Sequence, residues 1–397
     1  MATLQFSDAR ECVLREVQAR RVLPSTEQVR LDSCAGRVLA ANVLADRDYP
    51  PLSRSVRDGF AVSATGFSGK ARIIGEVRAG DRYHGAVGPG EAVEIMTGAP
   101  VPDGADAIIM VEHVVRDGDS IGTDRPVVSG DFINPQGCES ARGSVVLSVG
   151  TRLDYASIAM LATVGQTEVS VYRKPRVAIL STGDEIVEIN ETPLEHQIRN
   201  SNSASLSVQV ARAGGIPEVL PVARDEYGST RDLIARGLQA DLLLLSGGVS
   251  AGKYDIVEKV LEEFQAEFFF DRVLIQPGQP LVFGHAQGKF FFGLPGNPAS
   301  TMITFELFAR AAVELLSGSL ESPLPLLHAR LTREFRHKPG IMRFLPAHLS
   351  ADGEDLTPTG WQGSGDVGAM ARANAFLVAE DNRESWETGE WMRVLSK

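Results

Sequence analysis

The sequence has no long hydrophobic run. Its most apolar stretches, such as 242–245 and 290–292, fall far short of the roughly 18 residues that span a bilayer, so no membrane partner is expected. No basic-then-apolar-then-small pattern precedes Asp8, which argues against a secretory signal. Cysteine is scarce: Cys12, Cys34 and Cys138 form no CxxC and no metal-ligand spacing. That excludes a disulfide framework and a zinc site, and points to a reduced, cytoplasmic protein. Clustered positive charge is also missing. Lys and Arg number 39 against 51 Asp and Glu, a net charge of −12, so nucleic acid is not expected as a partner. A small anion would have to be held locally, by backbone N–H groups or by a metal ion.

What is present is ordinary for a packed chain: 43% hydrophobic and 23% charged residues over 397 positions. That length allows about two to four domains of roughly 100–200 residues. Residues 8–22 read as a helix, with Asp8 and Glu11 at capping-box spacing. Between 45 and 150, glycine, proline and short Val/Ile runs (72–77, 91–96, 105–112, 143–147) predict a β-rich lobe. From 175 to 316 strands and helices alternate. Strands are predicted at 176–181, 218–223, 241–246 and 289–294, and helices at 203–214, 229–238, 255–264 and 298–316. Continuous apolar strands between helices predict a doubly wound parallel sheet, with ligands at the strands' carboxyl ends. A Pro-rich hinge follows at 317–326, and the tail, 327–397, reads as a small separate β domain.

The turns after those strands carry the chemistry. STGDEI (181–186) ends a strand with two adjacent acids, Asp184 and Glu185. Hard oxygen ligands of this kind suit Mg²⁺, although a capped loop with solvated acids reads the same way. SGGVSAGKYD (246–255) imitates a P-loop, but Tyr254 stands where Ser or Thr is needed. It also imitates the G-x-S-x-G elbow around Ser250, without a matching histidine turn or oxyanion segment. A glycine loop offering N–H groups to an anion fits better, with Asp255 as an N-cap, a metal ligand or an orienting group. In GLPGNPAS (293–300), Asn297 and Pro298 suit a helix start and a phosphate. Arg224 and Asp225 follow the strand 218–223, RNSNSAS (199–205) enters a helix with Asn200, Ser201 and Asn202 read as caps, and QPGQP (276–280) is a turn. In the β lobe, Asp58 lies in SRSVRDGFAV and Thr97 in MTGAPVPDGADAIIMVE.

SVRDGFAV, EIMTGAPVPDGADAIIMVE, GCES, STGDEI, RNSNS, SGGVSAGKYD, QPGQPLVFG, GLPGNPAS and QGSG occur in order from about 50 to 365. Together they resemble the MoeA family, the molybdopterin molybdenumtransferases, to which the gephyrin E domain is related. The resemblance implies an α/β multidomain fold. It comprises an elongated linker domain (1–45 and 140–174), an inserted β-rich lobe (46–139), a MogA-like, doubly wound, mostly parallel sheet domain (175–316) and a C-terminal β-barrel-like domain (325–397). It also implies a homodimer with its active site between subunits, and Mg²⁺-dependent insertion of molybdenum from molybdate into adenylated molybdopterin with release of AMP. A MogA-type adenylyltransferase and molybdoenzymes are the implied protein partners. Carried over by match, Asp58, Thr97, Glu185, Asp225 and Asp255 are the catalytic candidates, with Asp255, Glu185 and Asp225 as metal ligands. Ser181, Thr182, Gly183, Gly247, Gly248, Ser250, Gly296, Asn297 and Pro298 are candidates to cradle phosphate or pterin. Gln279, Pro280 and Ser364 fall where the molybdate pocket is implied.

Some positions depart from the family pattern. Arg57 is new, and Glu139 replaces an aspartate. The turn 276–280 carries glutamine at 276 and 279 where lysines are frequent. Pro346 replaces an arginine, with Arg343 close by in sequence as a possible substitute. Neutral glutamines donate hydrogen bonds without charge, which leaves open a non-catalytic, molybdopterin-binding or scaffold role. A third reading, a MogA-type adenylyltransferase, sits poorly with residues 1–170 and the tail.

Overall fold

The computed structural model describes residues 3–248 and 256–397. Its centre is a seven-stranded sheet in the order Thr3–Leu4, Glu267–Val273, Pro280–Ala286, Lys289–Leu294, Leu242–Ser246, Arg176–Ser181, Ile216–Val219. Only Pro280–Ala286 runs against its neighbours. The central strands are buried along their length because both faces are covered. One face packs Leu206 and Val210 of the helix Ser201–Ala213 and Ile303 and Val313 of the segment 298–316. The other packs Ile234 of Tyr227–Gly237 and Val257 and Val260 of Ile256–Glu263. This is the doubly wound domain that the alternation predicts.

Two strands, 176–181 and 289–294, match their expected bounds. Three elements differ instructively. The first helix runs Phe6–Arg20, not 8–22; Gln5 occupies the N-cap without a side-chain bond, and Asp8 lies inside the first turn. Phe6 draws the helix start inward, with its ring 5.8 Å from Phe308 and 5.2 Å from Phe344. The strand expected at 218–223 is Ile216–Val219. The long helix 298–316 is interrupted by a π-helical turn, Phe305–Ala309.

The strand Thr3–Leu4 and the helix Phe6–Arg20 belong with this central domain, although the reading placed all of 1–45 in the linker. Ala9, Val13 and Val17 sit in the sheet's core. The rest of the linker pairs Thr26–Arg30 with Glu168–Tyr172 and Val43–Leu44 with Val145–Leu147, around Cys34, Leu39, Leu161 and Val171. The lobe is a six-stranded sheet ordered Ala107–Met110, Gly59–Val62, Glu91–Ile95, Lys70–Val77, Ser120–Gly122, Val115–Asp117, with apolar clusters on both faces.

The tail closes into a five-stranded barrel from Leu326–Leu331, Met342–Leu349, Asp355–Pro358, Ala375–Ala379 and Trp391–Ser396. A short strand from the central domain, Ile275–Gln276, lies alongside it, pairing with Met342 and Arg343.

The first part of the stretch 317–326, which reads as a hinge, is tied down through Ser319, Leu320 and Ser322. The buried Arg10 guanidinium donates to the carbonyls of Leu307 and Ser322, and burial, reinforced by nearby Arg310, lowers its pKa to about 10. Gln18 reaches the Leu320 carbonyl at 3.0 Å and Arg21 the Ser319 carbonyl at 2.8 Å. Arg10→Ala leaves two carbonyls without these donors. It is expected to cost about 2 kcal/mol, measured as a shift of the denaturant midpoint with unchanged slope.

Candidate functional site

A cleft of about 1320 Å³ opens at the carboxyl ends of the central strands and extends to the barrel. Of the candidate residues, Thr182, Gly183, Glu185, Asp225, Gly247, Gly248, Gln279, Pro280, Gly296, Asn297, Pro298 and Ser364 all line it. Thr182, Asp225, Gly247 and Gly296, far apart in sequence, meet because parallel strands put every following turn on one edge of the sheet. Ser250 and Asp255 lie outside the described residues.

Close approach explains the glycines. Gly247 and Gly248 have φ of +93° and +65°, values that L residues with a Cβ rarely adopt. A Cβ on Gly248 would stand 2.6 Å from the Thr182 hydroxyl, and one on Gly247 2.8 Å from the Thr182 carbonyl oxygen. The turn after one strand is therefore seated against the turn before it.

The two acids of STGDEI separate. Asp184 accepts from the Asp225 N–H at 3.2 Å, and Arg224 holds the same loop through the Asp184 and Ile186 carbonyls at 3.0 and 3.2 Å. Glu185 instead lines the cleft, its carboxylate folded over Gly183. Glu185 and Asp225 are thus two oxygen-donor side chains on the cleft wall, of the kind that suits a hard divalent cation. Among the described residues no three His, Cys, Asp or Glu side chains converge as a metal site. The third expected ligand, Asp255, is not among them.

Three readings need correction. Ser181 is not a wall of the cleft: it is buried, and its hydroxyl bonds Asn200 Oδ1 at 3.0 Å and Ser203 Oγ at 2.9 Å. Its direction follows strand alternation, which turns it into the layer beneath. Asn297 holds the N-cap position but does not cap; its side-chain amide donates to Ser364 Oγ at 2.9 Å. The Ser364 carbonyl meanwhile accepts from the Ala299 N–H at 2.9 Å, so the barrel loop, not Asn297, covers that helix end. Arg343 does not replace the missing charge. It lies opposite Gln276 in the pairing but does not line the cleft, and it shares its strand side with Leu345 and Ala347 of the barrel core.

Asp58 and Thr97 form a site of their own in the lobe. Gly59 pairs with Ile95, which brings the residue before one strand beside the residues after the other. Asp58 Oδ1 accepts from the Thr97 N–H at 2.6 Å and the Thr97 hydroxyl at 2.8 Å. These two bonds, the backbone one first, hold the Asp58 carboxyl below its ordinary pKa. Neither residue lines the cleft of its own chain. Glu139 pairs with Arg54.

Sequence reasoning passed over Arg199, Lys259, Ile341 and Trp361, all on the cleft wall. Arg199 and Lys259 are its only Lys or Arg side chains among the described residues. Both stand within segments already marked as a helix entry and a helix, yet neither belongs to a motif with its own chemistry. Among the described residues, the far end of the cleft, from Ile275 to Pro280 with Ile341, Trp361, Gly363 and Ser364, carries no charged side chain. No helix among the described residues is long and apolar enough to cross a membrane.

Comparison with known proteins covers nearly the whole chain. Residues 4–165 match the MoeA N-terminal region (domain I and II), residues 178–315 a probable molybdopterin binding domain, and residues 328–397 the MoeA C-terminal region (domain IV). The chain is 32% identical over 396 residues to a molybdopterin molybdenumtransferase of Staphylococcus aureus, covering 97% of this chain and 94% of that one. It is 31% identical over 392 residues to one of Staphylococcus epidermidis, covering 96% and 94%. Among solved structures, the molybdopterin biosynthesis MoeA protein of Pyrococcus horikoshii OT3 superposes with a TM-score of 0.81 at 27% identity, over 100% of both chains. A second structure of a Pyrococcus MoeA protein gives 0.72 at 31% identity, over 100% and 99%.

Proposed function

This chain belongs to the MoeA family of molybdenum cofactor biosynthesis and is a transferase, and from that premise we propose that it inserts molybdenum from molybdate into adenylated molybdopterin, releasing AMP. The observation that carries the reading is the cleft. Glu185, Asp225 and the paired glycines converge there, at the strand ends where an α/β sheet binds ligands.

The chain's charge is negative overall, so its anionic substrate is held by local features. Backbone N–H groups of the glycine turn suit phosphate, and Arg199 and Lys259 supply the positive charge. Glu185 and Asp225, with Asp255, are the residues to hold Mg²⁺. Such an ion neutralises phosphate charge as the anhydride P–O bond breaks. Water would cleave the phosphoanhydride so that AMP leaves, and the dithiolene sulfurs would bind molybdenum as one molybdate oxo group departs as water with the two thiol protons. The neutral end of the cleft, with Gln279, Pro280 and Ser364, offers the oxoanion hydrogen bonds without charge. Asp58 and Thr97, pre-ordered by their mutual bonds but outside this cleft, complete the site of a second subunit in a homodimer. The protein acts in the cytoplasm, receives its substrate from a MogA-type adenylyltransferase and passes its product to molybdoenzymes.

The test is one reaction: purified protein, adenylated molybdopterin, Mg²⁺ and low-micromolar molybdate, with AMP and molybdenum cofactor both quantified. Both products are expected, in step. Substrate binding with neither product, even at high molybdate, would overturn the reading in favour of a scaffold.

A further inference from the structure

Among the described residues, two polar atoms on the floor of the cleft have no hydrogen-bond partner. Thr182 is 5% exposed and Asn202 7%, and both line the cleft. Asn202 Nδ2 donates to Ser246 Oγ and to the Gly296 carbonyl, each at 2.8 Å. The Gly296 carbonyl can only accept, so the orientation of the amide is fixed, and Asn202 Oδ1 is left as a buried acceptor with no partner among the described residues. Thr182 Oγ1 is likewise buried and unpartnered, while the Thr182 N–H donates to the Ser246 carbonyl at 3.1 Å. Both residues therefore close around Ser246. The glycine turn is seated against this hydroxyl, since a Cβ on Gly248 would sit 2.6 Å away. Buried polar groups without partners are rare and destabilising.

We propose that Asn202 Oδ1, with the Thr182 hydroxyl beside it, recognises a hydrogen-bond donor of the substrate, an O–H or N–H group, and not one of its phosphate oxygens. This rests on the transferase reading. The entry to the helix Ser201–Ala213 would otherwise favour an anion, because its dipole and free N–H groups are positive. An amide oxygen facing the same space repels a phosphate oxygen and accepts from a hydroxyl or amine. Phosphate is thereby directed toward the glycine turn, and the donor-bearing part of the molecule toward Asn202. The adenylated substrate carries such donors at both ends, as ribose hydroxyls and as pterin N–H groups.

The test measures binding of adenylated molybdopterin by calorimetry, with the thermal midpoint of the ligand-free protein. Thr182→Val keeps the side chain's shape and removes an unpartnered hydroxyl. It is expected to weaken binding about tenfold while leaving the midpoint unchanged or higher; Thr182→Ser restores binding. Asn202→Leu removes the acceptor and both loop-bracing bonds, whereas Asn202→Asp loses the Nδ2 bonds but keeps an acceptor oxygen. Asn202→Asp is expected to bind more tightly than Asn202→Leu. AMP alone locates the donor: if Thr182→Val weakens AMP equally, the donor is on the nucleotide, and if AMP is unaffected, it is on the pterin. Thr182→Val binding as tightly as wild type, or the two Asn202 variants falling together, would overturn the proposal. Failure of the wild-type protein to bind the substrate at all would instead sink the transferase reading, and the proposal with it.

Discussion

Glu185→Gln is expected to lower the rate of AMP release by a factor on the order of a hundred or more, with little change in the thermal midpoint. The substitution is isosteric and exchanges one charged oxygen for an amide. Glu185 lies on the cleft wall, folded over Gly183, and its carboxylate makes no side-chain hydrogen bond among the described residues. Losing it therefore costs the fold little. In the proposed reaction its charge would hold a cation that offsets phosphate charge as the anhydride breaks, and an amide is a poor ligand for a hard ion. The neighbouring acid is the internal control. Asp184 Oδ1 accepts from the Asp225 N–H at 3.2 Å, a role that asparagine can fill, so Asp184→Asn is expected to keep most of the rate. Calorimetric titration with Mg²⁺ in the presence of AMP separates the two further, with binding weakened in Glu185→Gln only. Equal rates for Glu185→Gln and wild type would remove Glu185 from the chemistry.

The double substitution Gln276→Lys/Gln279→Lys is expected to lower the molybdate concentration for half-maximal AMP release by about a hundredfold. The neutral end of the cleft presents both glutamines beside Ile341, Trp361 and Ser364, with no charged side chain among the described residues. A hydrogen bond to an oxyanion from an ammonium group is roughly twice as strong as one from an amide. At about 1.4 kcal/mol of difference each, the gain is about tenfold per site. Arg343 does not already provide this charge, since it lies on the barrel's core side of its strand. Half-saturation unchanged by both lysines would mean that molybdate enters elsewhere, and Arg199 and Lys259, across the cleft, would be the next residues to neutralise.

Much of this architecture is legible in the sequence because apolar runs bounded by turns have few alternatives. RVAILS and KFFFGL become buried strands at the expected bounds, and the glycine turns that follow these two reach the cleft. What could not be read depends on partners distant in sequence. Thr3–Leu4 is a strand only because Arg272 and Val273 lie beside it, and two residues carry no periodicity. Asp8 has the spacing of a cap, but the aromatic contacts of Phe6 set the helix start. Asn202 has the composition of a cap as well. Its real role, bridging Ser246 and Gly296, requires three strands to be in place. Asp58 and Thr97 are brought together by the pairing of Gly59 with Ile95, which no local pattern announces.

The placement of the first helix has a consequence for the order of events during synthesis. Arg10 bonds a carbonyl 297 residues further along the chain, and Ala9, Val13 and Val17 complete a core built from residues 177 to 395. Contacts of such separation carry a large loop-closure cost and slow folding. While the lobe and linker are being made, the apolar side of this helix has no surface to cover it, and it waits until the central sheet has left the ribosome. The earliest segment to be translated is thus among the last to dock, and a nascent chain halted before residue 305 would expose that apolar side to chaperones and to aggregation.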